Sequence, residues 1–247
     1  MTLLLLHPLG LDSECWQFIE LQATKPDLPG HGHNPLRGDE LTIERVADEV
    51  LERVDGAADV VGVSMGGTLA VRMALRDPKR IRSLMVACTS VLDSPERSQR
   101  LRERATSVDR AGMAGVLNST LERWFTPAAL ANPEHPGVTY ARRRLLSDDA
   151  RAFAMWWRAM AAHAVREEIG MIRCPVTMLA GRHDAAAPMG HVLEVFDALH
   201  APRRMEVLAG PHMLPLENPS LFADAVRLHL HWVESIAGSQ PQRPGTQ

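Results

Sequence analysis

Val60-Val61-Gly62-Val63-Ser64-Met65-Gly66-Gly67 decides how the rest of the chain reads. Residues 59–63 form a short apolar, β-branched run, the pattern of a buried strand, and residues 68–75 carry apolar side chains at helical spacing. Strand meets helix at Ser64. Glycine at 62 and 66 removes the side chains that would collide in so sharp a turn, so a serine can occupy a strained backbone with its hydroxyl raised above the sheet. The G-x-S-x-G spacing is that of a nucleophile elbow. There the N–H of Met65 stands free at a helix N-terminus, where the helix dipole favours a developing oxyanion.

Outward from the elbow, strand and helix patterns alternate. Thr2–Leu6, residues 81–89, Val176–Gly181 and residues 205–209 read as strands, and residues 21–25 as a weaker one. Residues 42–54 have apolar positions at helical spacing behind a threonine cap, and residues 190–199 and 219–236 supply further helices. This alternation predicts an α/β fold, a mainly parallel twisted sheet covered by helices on both faces. Residues 95–168 interrupt it with a helix-rich, strand-free stretch. The expected organisation is a core of residues 1–94 and 169–238, a helical cap over 95–168, and a disordered tail at 239–247 rich in Pro, Gln and Gly.

A chain of 247 residues with 45 % apolar content buries a large core, and a net charge of −3 gives no global field for nucleic acid or an anionic membrane. No run approaches the roughly 20 apolar residues that span a bilayer. Cys15, Cys88 and Cys174 are odd in number and far apart, and no Cys/His metal spacing, P-loop or dinucleotide fingerprint occurs. We expect reduced thiols, no metal, no organic cofactor and a cytoplasmic protein. The Leu3–Leu6 run lacks a basic flank and is too short for a signal peptide, which supports the last expectation.

Asp27-Leu28-Pro29-Gly30-His31-Gly32, with Ser64 of the G-x-S-M-G-G segment 37 positions further on, resembles the α/β-hydrolase superfamily. The resemblance covers roughly residues 3–233 and implies the α/β-hydrolase fold, a serine nucleophile and partners in the order Ser, Asp, His, each on a loop after a strand. Asp184 of Gly181-Arg182-His183-Asp184 is then the acid, with Asp93 as the alternative, and His212 of Gly210-Pro211-His212 is the base. His7-Pro8-Leu9-Gly10 resembles the oxyanion loop, which makes the Leu9 N–H the partner of the Met65 N–H and puts His7 beside the substrate. Only 20 positions separate His7 from Asp27, so the first helix must be short or distorted.

Within the superfamily, Leu121-Glu122-Arg123-Trp124-Phe125-Thr126-Pro127, Val86-Ala87-Cys88-Thr89-Ser90 and Cys174-Pro175-Val176 look like 3-oxoadipate enol-lactonases and related carboxylesterases. That likeness implies a small ester or lactone bearing a carboxylate. The cap carries twelve arginines against nine acids, and Arg123 is the first candidate to grip the carboxylate, with Arg142 to Arg144 behind it. Trp124 and Trp156 are candidates to line the pocket, against core packing as the plainer reading. Other readings on the same fold are a C–C bond hydrolase, disfavoured by Val63 and Met213 beside the serine and the base, a cofactor-free haloperoxidase-like esterase, and a non-catalytic small-molecule binding protein.

Overall fold

The apolar runs become five parallel strands in a computed structural model that describes residues 2–238. Thr2–Leu6 (β1), Ala58–Val63 (β2), Ile81–Ala87 (β3), Val176–Gly181 (β4) and Arg203–Leu208 (β5) pair side by side in that order. β2 and β4 are buried along their whole length, as continuous apolar runs in a helix-covered sheet should be. β5 lies at the edge and begins earlier than the apolar pattern suggested. Arg204 and Glu206 pair there, and the Arg203 guanidinium lies 5.0 Å over the Phe196 ring. An edge strand accommodates these charges because one flank faces no further strand. The segment 239–247, expected as a tail, lies outside the described residues.

Ile43–Glu52 (α1) starts where Thr42 Oγ1 accepts the Arg45 N–H at 3.2 Å. Met65–Arg76 (α2) follows the elbow and packs against α1. Four helices lie between β3 and β4: Pro95–Trp124 (α3), Pro127–Ala131 (α4), Pro136–Leu146 (α5) and Ala150–Ala162 (α6). Ser94 caps α3 through Arg97 N–H, Pro95 occupies its first turn, and Gly112 at φ 64° breaks it into two stretches. α3 packs along α6 and α5. Met189–Ala198 (α7), Leu214–Glu217 (α8) and Pro219–Gly238 (α9) complete the chain. No described helix is long and apolar enough to cross a membrane.

Besides the start of β5, three readings differ from the sequence expectation. Residues 21–25 make one bridge to β1, where Thr24 N–H donates to Leu3 O and Leu5 N–H to Thr24 O, and no strand. Pro26 has no N–H to continue the ladder. β3 stops at Ala87 because Cys88 turns to φ 50°, and α2 starts at Met65 because Ser64 is itself the cap position. The short first helix is a 3-10 turn, Ser13–Phe18, capped by Asp12. The register pairs Leu6 with Gly62, Val63 with Ala87, Ala87 with Leu179 and Gly181 with Leu208. The strands therefore end together, and the loops that follow them gather at one edge, where open parallel sheets hold their ligands.

Candidate active site

Ser64 sits between β2 and α2 at φ 55°, ψ −113°, a conformation non-glycine residues rarely adopt. Its N–H donates to Ala87 O (2.9 Å) and its carbonyl accepts the Thr68 N–H (3.1 Å), so the strain is held from both sides. Close approach explains the glycine at 66: a Cβ there would lie 2.1 Å from the Leu6 carbonyl oxygen. Unlike an ordinary N-cap serine, Ser64 makes no side-chain cap bond. Its Oγ instead lies 3.0 Å from His212 Nε2, whose Nδ1 lies 2.8 Å from Asp184 Oδ2. The other Asp184 oxygen accepts the N–H groups of Ala186 (2.8 Å) and Ala187 (2.7 Å). With a carboxylate at Nδ1, the neutral imidazole carries its proton there and presents Nε2 as an acceptor to the serine hydroxyl. His212 and Asp184 are buried.

Beside the hydroxyl, the loop after β1 is fastened by two neutral histidines. His7 Nδ1 donates to Pro8 O (2.9 Å) and its Nε2 accepts the Leu28 N–H (3.0 Å). His31 Nδ1 donates to Pro29 O (3.2 Å) and its Nε2 accepts the Gly10 N–H (3.1 Å). Burial lowers His7 to about 4 and holds His31 well below the usual histidine value. Asp27 fixes the other end of the pair's loop by accepting Ser13 N–H and His33 N–H, each at 2.8 Å. Among the described residues, the N–H groups of Leu9 and Met65 find no acceptor. Both residues line a cavity of about 310 Å³ that also contains Ser64 and His212.

A family model described as "Alpha/beta hydrolase family" matches residues 3–225. The chain belongs to the alpha/beta hydrolase family. Among curated relatives, it is 24 % identical over 238 residues to a pimeloyl-[acyl-carrier protein] methyl ester esterase of Aeromonas salmonicida, with 91 % of this chain and 93 % of that one covered. It is 27 % identical over 206 residues to 3-oxoadipate enol-lactonase 2 of Acinetobacter baylyi, covering 81 % of this chain and 75 % of that one. Among solved structures, the enol-lactonase from Burkholderia xenovorans LB400 matches with a TM-score of 0.82 and 26 % identity, over 93 % of this chain and 90 % of that one.

On this alpha/beta hydrolase scaffold, several expected substrate contacts move. Trp124 lines the cavity, but Trp156 does not. Trp156 is fully buried and donates through Nε1 to Pro29 O at 2.8 Å, whereas its neighbour Trp157 faces the cavity. His7 is fully buried in the loop after β1 and ties that loop to Leu28 by a hydrogen bond. Arg123 is not a wall residue; its guanidinium turns back to Thr120 Oγ1 (3.2 Å), and Arg144 is spent on Asp12 and Asp148. The guanidiniums in the wall are Arg97, Arg100 and Arg104, on the first half of α3. Asp93, the alternative acid, accepts the N–H groups of Val165 and Arg166.

Cys88 was missed as a site residue. It ends β3 and lines the cavity, and its sulfur lies within 4.8 Å of the donor atoms of Asp184 and His212. Burial pushes its thiol well above the usual value, so it stands there as a neutral S–H. Its position at the C-terminal end of a strand next to the elbow was the available signal.

Proposed function

We propose that the chain is a serine hydrolase that cleaves a small ester or lactone through an acyl-enzyme on Ser64. The observation that carries this reading is the unbroken line from Ser64 Oγ through His212 to Asp184 Oδ2, with links of 3.0 and 2.8 Å, on a serine held at φ 55°. In the first step Ser64 Oγ attacks the carbonyl carbon while His212 Nε2 takes the hydroxyl proton. Asp184 stays ionised and stabilises the imidazolium through Nδ1–H. The N–H groups of Leu9 and Met65 receive the negative oxygen. The proton on Nε2 then passes to the departing alkoxide, which leaves as the alcohol or, in a lactone, remains tethered as a free hydroxyl. A water activated by the same nitrogen releases the acid and restores Ser64.

Residues 95–168 act as a cap over a core of residues 1–94 and 169–238, supplying Trp124, Trp157 and the α3 arginines to the cavity wall. A volume of about 310 Å³ suits a small molecule. The relatives are named for a methyl ester and an enol-lactone, which supports this substrate class, and a carboxylate-bearing enol-lactone is the finer form of the reading. A non-catalytic binding protein would have no need of a strained serine hydrogen-bonded to a carboxylate-oriented histidine. Rapid mixing with p-nitrophenyl acetate tests the reading: a burst of about one equivalent of p-nitrophenol, absent from Ser64→Ala, is expected. Turnover that survives Ser64→Ala would overturn it.

A further inference from the structure

The ion pairs of residues 95–168 draw on Arg143, Arg144, Arg151, Arg158 and Arg166. Neither Arg100 nor Arg104 joins one among the described residues, yet both face the cavity that holds Ser64. Arg97, one turn earlier on the same wall, is already engaged: it is buried and donates to Ser90 O (2.9 Å) and Met160 O (3.1 Å). The Arg104 guanidinium lies 5.0 Å over the Trp157 ring, whose face orients a cation without neutralising it. Burial chiefly, with the repulsive charges of Arg123 and Arg100, lowers its pKa to about 10. A half-buried guanidinium among like charges is an unsatisfied arrangement that an incoming anion relieves.

We propose that Arg100 and Arg104 form an anion subsite that selects substrates carrying a carboxylate on the part of the molecule reaching from Ser64 toward α3. The assignment rests on the ester or lactone hydrolase reading and adds the residues that choose among such substrates. Four residues of helix separate the two Cα atoms by about 6 Å along the axis, so their side chains can converge on one carboxylate. Trp157 holds the Arg104 fork in place for a bidentate contact. Arg123 contributes field from behind rather than contact, because it acts on Arg104 while its own guanidinium bonds Thr120.

The test pairs monomethyl and dimethyl glutarate as substrates and adds glutarate binding to the Ser64→Ala protein, read by tryptophan fluorescence from the cavity. Wild type should favour the free-carboxylate ester by about tenfold to a hundredfold in kcat/KM, the scale of a charge-assisted hydrogen bond. Arg100→Ala and Arg104→Ala should each pull that ratio toward one, Arg104→Lys should restore only part of it, and Arg110→Ala, exposed elsewhere on α3, should keep it. Glutarate should bind Ser64→Ala and lose affinity when Arg104→Ala is added. Equal turnover of the two esters by wild type, or a ratio unmoved in both arginine variants, overturns the subsite and leaves the esterase reading intact. If neither ester turns over, the hydrolase reading fails. Loss of glutarate binding on adding Arg104→Ala would still support the anion subsite, and unchanged binding would overturn it as well.

Discussion

The Met213 N–H donates to the Trp124 carbonyl oxygen at 3.0 Å, so the residue after His212 is tied to the last residue of α3. The tie is doubled nearby. Glu217 accepts the Thr126 N–H (2.9 Å) and the Thr126 hydroxyl (2.6 Å), joining α8 to the start of α4. The inserted helices thus touch the histidine loop and the cavity at once. Glu217→Ala removes both acceptors and should cost about 1.5–3 kcal/mol of stability. It should also lower kcat/KM for esters, because His212 loses part of its support. Denaturant melts and steady-state kinetics on the variant check this. Unchanged activity with lowered stability would show that the tie is structural only.

Part of the acid sensitivity should come from His7 and His31, beside the buried His229, which is also lowered to about 4. The unfolded chain protonates His7 near its ordinary value of 6.5 and the folded chain only near 4, and His31 is shifted in the same direction. Their contribution to stability is complete above 6.5 and is lost as the pH falls through that interval, by at most about 3 kcal/mol for His7. Asp148, raised by burial to about 7, works in the opposite direction over the same range, so the comparison must isolate the histidines. His31→Gln keeps an acceptor for Gly10 N–H without a titrating ring. Its unfolding midpoint should fall less than that of wild type between pH 7.5 and 5, and parallel slopes would contradict the account.

Adjacent tryptophans should separate by function. Trp156→Phe removes the bond to Pro29 O and should lower stability by about 1 kcal/mol with little effect on substrate choice. Trp157→Ala removes a cavity wall and the ring under Arg104, and should change relative kcat/KM among substrates more than it changes Tm. Matched kinetics and melts on the two variants decide. A selectivity change confined to Trp156→Phe would reverse the assignment.

The parts of the site that follow strands were legible because backbone constraint writes itself into sequence. Gly66 is needed where the turn passes the Leu6 carbonyl, and Asp27 and His31 of the proline turn each bond a backbone N–H of the segment after β1, Ser13 and Gly10. β2 and β4 were legible as continuous apolar runs because they are buried along their whole length, whereas β5, half-exposed at an edge, blurred its own start. Which arginines line the cavity was not legible. The twelve arginines of residues 95–168 look alike in sequence, and what separates Arg104 from Arg144 is that one lies over Trp157 and the other between two carboxylates. Trp156 and Trp157 differ by one position, about 100° around the helix, which decides between a core bond and a cavity face.

Intact-mass analysis with peptide mapping after fluorophosphonate treatment tests most directly whether Ser64 forms the covalent intermediate. Ser64 Oγ, Ser90 and Cys88 all border the cavity, so the site of the adduct must be located and not only counted. One adduct is expected, on the peptide containing Ser64, slowed by Asp184→Asn and absent from Ser64→Ala, whose Tm should stay close to wild type. An adduct on Ser90 or Cys88 in the wild-type protein, or equal labelling of Ser64→Ala, would contradict it.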